Sequence, residues 1–231
     1  MRFILLSLLS TLIVSAQESP SVTDIVARMM ERDHQRQSNL RGYTSTRRYV
    51  LVNEKHHKRA EMTVTLRCLE DGSKQFETIS GSGWGAARSH VFPKLLESER
   101  EASLPGARDR SRITPENYSF ELAGTEVIED RVAYVMDVAP RTQNKYLIQG
   151  RIWVDRDDYA IMRIEGMPAK NPSFWIKGVH FVHSYSKTGS LWLPSSDRSL
   201  TNARIVGNTE LTIEYFDYTP DVNLASTGGR R

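Results

Sequence analysis

Apolar residues recur along this chain with two periods, and the switch between them comes early. Between residues 19 and 37, Val22, Ile25, Val26, Met29 and Met30 fall at i, i+3, i+4, i+7 and i+8, the stripe of an amphipathic helix. Asp24, Arg28, Glu31, Arg32 and Gln35 take the opposite face, which wants water. Ser19 before Pro20 offers a cap followed by proline at the first helical position; Ser21 with Asp24 offers a competing one. From Leu40 the period becomes two. Segments 43–52 and 60–70 read as strands joined by a basic turn, and in the second Met62, Val64, Leu66 and Cys68 share a face. Asp71-Gly72 marks a hairpin turn, and a third strand follows through Phe76 and Ile79.

The run Gly81-Ser82-Gly83-Trp84-Gly85 interrupts the alternation and reads as a hinge. A second helix is predicted over roughly 89–102, with Phe92, Leu95, Leu96 and Glu99 along one side and Pro93 in its first turn. A polar loop over 103–116 follows. Seven further strands are predicted at 117–129, 131–139, 145–155, 158–166, 174–186, 190–203 and 205–218. Their connections are short, which forces antiparallel pairing. About ten consecutive strands cannot stay flat and open. In 174–185, Phe174, Ile176 and Val182 face one way and Trp175, Val179, Phe181 and Tyr185 the other, so both faces are apolar. A strand with water on one side would alternate cleanly. The expected fold is mainly β with helices: an antiparallel sheet closed or nearly closed into a barrel, curved, with the N-terminal helix and the helical insert on its concave side.

Not all 231 residues belong to that domain. Met1-Arg2, the apolar run Phe3 to Val14 and the small residues Val14-Ser15-Ala16 read as a cleavable signal peptide over 1–16. The run is shorter than the roughly 20 residues of a membrane span. The β domain is placed at 17–220 and a disordered tail at 221–231. The expected location is the periplasm. A net charge of +3 among 59 charged residues gives no sign of a nucleic-acid partner. Cys68 is the sole cysteine, so packing and ladder hydrogen bonds must hold the chain without an internal disulfide. A monomer is expected.

Candidate chemistry is sparse. His180 and His183 stand three apart, which on a strand puts them on opposite faces and not on one metal ion. Cys68 reads as a small core residue. Ser82 lacks the first glycine of a nucleophile elbow, because Ser80 stands there. Asp155, Asp157 and Asp158 lack the glycine and terminal glutamate of a calcium loop and read as a solvated turn. His56 and His57 read as a solvated basic turn, with contact to anionic lipid or a partner as the sharper alternative. No nucleophile, base and orienter can be grouped, so no enzyme and no cofactor is predicted.

The segment from Gly150 to Gly166 runs into Trp153-Val154-Asp155, turns through Asp157 and Asp158, and returns to Arg163-Ile164-Glu165-Gly166. Together with the run from Pro172 to His183 and the ending Thr212 to Tyr218, it resembles the LolA-like superfamily of periplasmic lipoprotein carriers and outer-membrane lipoprotein-sorting proteins. That resemblance implies an incomplete antiparallel β-barrel, a curved half-barrel covered by the N-terminal helix and the helical insert, whose apolar cavity holds acyl chains beneath those helical lids, without metal or catalysis. It also implies a basic residue paired with the lid, for which Arg47, Arg48 and Arg67 are candidates. The expected function is a periplasmic carrier or holder of a lipid or lipoprotein acyl chain. Expected lining residues are Trp153, Ile161, Met162, Phe174, Trp175, Phe181, Ile213 and Tyr215, while the pattern leaves open which face of each strand is concave. The alternative is an envelope sensor or interaction module of the same fold, with a regulator or membrane assembly protein as partner.

Overall fold

The computed structural model describes residues 20–144, 146–170, 176–203 and 207–222. The signal peptide, Phe174, Trp175 and the tail from residue 223 lie outside the described residues. A first helix, α1 (Val22–Asn39), leads into three strands, β1 (Leu40–Asn53), β2 (Lys58–Cys68) and β3 (Lys74–Gly83). A π-helical turn (Ala87–Val91), α2 (Phe92–Ser103) and the short α3 (Pro105–Asp109) follow. Then come β4 (Tyr118–Ile128), β5 (Arg131–Pro140), β6 (Ile148–Asp155), β7 (Ile161–Pro168), β8 (Ile176–Thr188), β9 (Leu191–Ala203) and β10 (Gly207–Val222). The last strand runs two residues into the segment expected to be disordered from Asp221.

Of the two caps, Ser21 is the one used. Its hydroxyl accepts from the Asp24 amide at 3.2 Å, and the Asp24 carboxylate accepts from the Ser21 amide at 3.3 Å, a reciprocal capping box. Pro20 therefore precedes the cap. The predicted stripe is the buried one: Ile25, Val26 and Met29 pack on Tyr134, Met136, Ile152 and Val154 of β5 and β6.

The strands form one antiparallel sheet in the order β3-β2-β1-β10-β9-β8-β7-β6-β5-β4. The first and last strands pair, β1 with β10, third and fourth in that order, and β3 and β4 remain unpaired edges among the described residues. The helical insert leads from one edge strand to the other and folds back over the inner face of β1, β2 and β10. The register carries one row across all ten strands: Leu122, Met136, Ile152, Ile164, His183, Asp197, Ile213, Tyr49, Met62 and Gly81. Side chains in that row share a face, and it is the face that carries the helices, because Ile152 and Met136 lie under α1 and Tyr49 and Met62 under α2.

Two glycines need their lack of a side chain. A Cβ on Gly150 would meet the Glu165 carbonyl oxygen at 2.0 Å, which lets β6 and β7 approach closely where Gly150 pairs Gly166. Gly83, at φ +79°, ends β3, and a Cβ there would meet the Arg59 carbonyl oxygen at 2.3 Å.

Candidate functional site

The inner face is divided between two covers. Over β1, β2 and β10 the insert fills the space: Phe92 is fully buried and, with Ala87, Leu95 and Leu96, packs on Tyr49, Leu51, Met62, Val64 and Ile213. Over β6 to β9 the cover is incomplete. There a cavity of about 650 Å³, within the range of small-molecule sites, is bordered by the C-terminal half of α1, by residues 108–113 and by the sheet. Its apolar wall comes from Met29 and Met30 of α1, Ile113 before β4, and Ile148, Ile161, Ile164, Phe181, Leu191 and Trp192 of the sheet. Its polar wall includes Arg32, Asp33 and Arg36 of α1, Arg112, His183 and Tyr185.

Of the lining residues expected from sequence, Ile161 and Phe181 border this cavity. Trp153 alternates with Ile152 and Val154, which pack under α1, so its ring turns to the outer face, where its indole N–H donates to Glu126 at 2.8 Å and Arg163 stacks over it. Met162 packs with Trp153, because an irregularity of register beside Val154 sets Ile161 opposite Val154 on the inner face and takes Met162 off the face of Ile164. Ile213 and Tyr215 are on the inner face but under the insert, away from the cavity. Met29, Ile148, Ile164 and Trp192 were not among the expected residues. Alternation from Ile152 would have reached Ile148 and Ile164 once the inner face was fixed.

A charged residue lies in the middle of the inner face. Arg47 of β1 is 1% exposed and its Nη1 donates to Glu99 Oε1 of α2 at 2.6 Å. Lys74 of β3 donates to the same oxygen at 2.7 Å, and the Tyr49 hydroxyl reaches the other carboxylate oxygen at 3.5 Å. The guanidinium also stacks 4.5 Å from the Tyr215 ring. Burial opposes both charges. For Glu99 the nearby Lys74 and Arg47 outweigh it and hold the carboxyl down at about 2. For Arg47 the Glu99 charge outweighs burial and the pKa rises. Of the three candidate arginines, Arg47 is thus the one tied to the insert. Arg48 points outward to Glu61 and Glu214, and Arg67 is exposed.

The same network continues to the cavity. The Tyr215 hydroxyl donates to Asp197, and burial, with the charge of Asp197, pushes its pKa well up. Asp197 pairs with His183 Nδ1 at 2.7 Å, and His183 borders the cavity. His180 faces the other way, toward Glu165. The network is not fully satisfied: among the described residues the buried Arg47 Nε and Ser45 Oγ have no hydrogen-bond partner. Such groups cost free energy, so the closed arrangement is weaker than its ion pairs suggest.

The other candidates settle into structural roles. Asp155, expected in a solvated turn, is fully buried; it accepts two bonds from Arg131, at 2.5 and 2.7 Å, and holds the amides of Asp157 and Asp158. It fixes the tight β6–β7 turn. Burial pushes the Cys68 thiol up, away from thiolate chemistry. Among the described residues no cluster of three or more His, Cys, Asp or Glu could hold a metal ion.

No family model and no curated protein matches the chain. Solved structures do. A LolA superfamily protein from Nitrosomonas europaea is 11% identical with a TM-score of 0.41, the match covering 87% of this chain and 94% of that one. An outer membrane lipoprotein-sorting protein domain from Vibrio parahaemolyticus is 14% identical with a TM-score of 0.44, covering 89% and 93%. MucB, in its complex with MucA from Pseudomonas aeruginosa, is 12% identical with a TM-score of 0.29, covering 88% and 94%. This chain is similar to each over nearly its whole length, and two of the three carry the family description that the sequence resembles. The fold itself stands on the strand order and register above.

Proposed function

We propose that this protein is a periplasmic carrier that holds the acyl chain of a lipid or lipoprotein in the cavity between α1 and the inner face of β6 to β9. The observation that carries the reading is the cavity: about 650 Å³, walled by isoleucines, methionines, a phenylalanine and a tryptophan. Each methylene buried there is worth about 0.8 kcal/mol, so about ten of them supply about 8 kcal/mol of binding before ordering costs. The protein acts by binding and release, with no bond made or broken.

Release needs a movable cover, and the insert is built as one. It leaves β3 through the hinge at Gly83 and is held to the sheet by apolar contacts, by the carboxylate of Glu99 against Arg47 and Lys74, and by hydrogen bonds at its two ends, Arg88 to the Gly81 carbonyl and the Lys74 amide to the Ser103 hydroxyl. Opening it would uncover Leu51, Met62, Val64 and Ile213 and extend the apolar inner face beyond the cavity. Among the described residues no helix is long and apolar enough to cross a membrane.

The test is native mass spectrometry of the protein purified from the periplasm, beside the Ile164→Trp variant, which puts an indole into the cavity. A lipid bound in fixed stoichiometry to the wild type and reduced in the variant supports carriage. An empty wild-type protein that takes up no lipid refutes it. Recovery of one protein partner with an empty cavity would favour the interaction module instead.

A further inference from the structure

The cavity is apolar along the sheet and cationic along α1 and the segment before β4. Four guanidiniums line it, from Arg32, Arg36, Arg108 and Arg112, against one carboxylate, that of Asp33. Asp33 is shared: Arg112 reaches one of its oxygens at 2.7 Å and Arg36 the other at 3.5 Å. Arg32 and Arg108 donate to backbone carbonyls, of Ser190 at 3.3 Å and Asp71 at 2.7 Å, and among the described residues neither forms an ion pair with a carboxylate. All four are half-buried, so their charges sit where the cavity meets water. Compensation of the helix dipole accounts for Arg36, in the last turn of α1. It does not account for Arg112, which comes from a different segment and converges on the same carboxylate.

We infer that this cationic wall is a head-group site, and that the ligand is an anionic amphiphile whose phosphate or carboxylate lies against Arg32, Arg36 and Arg112 while its tail lies along Ile148, Ile161 and Ile164. The inference rests on the carrier reading and adds the charge of what is carried. Guanidinium groups suit both oxyanions, since each accepts paired N–H donors. Asp33 occupies two of the guanidiniums and acts as an internal stand-in for the ligand's anion. A bound anion takes over those contacts, so Asp33 competes with it.

Three amphiphiles with one hexadecyl-length tail test this, each below its micellar concentration: hexadecyl phosphate, palmitate and neutral monopalmitoylglycerol. Affinities are read by titration calorimetry on the full mature chain, at low and high salt. The expected result is that at least one anionic probe binds about tenfold or more tighter than the neutral one, and that salt erodes this preference. Phosphate ahead of palmitate identifies a phospholipid-type head group, and the reverse a fatty acid. In Arg36→Gln/Arg112→Gln the preference should shrink to about twofold or less, and in Asp33→Asn it should grow. Arg32→Gln, which loses one bond to a carbonyl, serves if the double variant does not fold. Equal affinities for all three probes, unmoved by these substitutions, overturn the head-group site and leave the carrier reading standing. Failure of every probe to bind overturns the carrier reading, and this inference with it.

Discussion

Replacing Glu99 by Gln removes the one carboxylate that answers both Arg47 and Lys74. Arg47 is 1% exposed, so its charge stays in the protein interior with no counter-ion. Removing one partner of a buried pair typically costs about 3 to 5 kcal/mol. The linkage view gives the same order: a carboxyl held at about 2 rather than 4.5 corresponds to roughly 3 kcal/mol of coupling between the ionised group and the fold. Urea denaturation at pH 7, followed by tryptophan fluorescence, should place the variant's midpoint about 1 to 2 M below wild type. The pH dependence carries the sign. The folded-state pKa is depressed, so the wild-type advantage is fully present above pH 4.5 and is lost as pH falls toward 2. If α2 lifts off to hydrate Arg47, the global loss is capped at the free energy that docks the insert, and amide exchange in α2 rises while the sheet amides hold. A loss under about 0.5 kcal/mol with unchanged α2 exchange, or a loss indifferent to pH between 2 and 7, would refute the reasoning.

Lys74→Met should cost less, about 1 to 2 kcal/mol by the same denaturation assay, because Lys74 supplies part of the charge that holds Glu99 ionised but is a quarter exposed, and Glu99 keeps Arg47. Gly150→Ala should cost about 1 to 3 kcal/mol, since its Cβ meets the Glu165 carbonyl; a neutral result would mean that β6 and β7 separate freely. Asp155→Asn should cost about 3 kcal/mol and loosen the β6–β7 turn, seen as faster amide exchange at Asp157 and Asp158. Unchanged exchange there would show that Asp155 does not hold the turn.

Periodicity made the covers and most strands legible. The stripe Ile25, Val26, Met29 and the alternation Met62, Val64, Leu66 both name the faces that are buried. On β6 and β7 the same reading stalls, because Ile152, Trp153 and Val154 are all buried and neither face is polar enough to mark the outside. The register irregularity beside Val154 then moves Met162 off the face of Ile164, two residues on, and brings Ile161 onto it. The latch was half visible. Arg47 occurs in step with Tyr43, Tyr49 and Leu51, which puts a charge on an apolar face, and Glu99 occurs on the side of its helix that carries Phe92, Leu95 and Leu96. Period alone cannot bring them together, because 52 residues separate them and the pairing depends on how α2 folds back over β1. The cationic wall was hidden for a related reason. Arg32 belongs to the face of α1 that looks solvated, and only the gap between helix and sheet turns part of that face inward.

The central claim is that a hydrocarbon tail lies between α1 and β6 to β9. Methyl-labelled protein loaded with a protonated palmitoyl chain gives a direct reading through nuclear Overhauser contacts. The account predicts contacts from the tail to the methyls of Ile148, Ile161 and Ile164. Contacts confined to exposed residues such as Ile79 and Val127, with those three isoleucines silent, would contradict it.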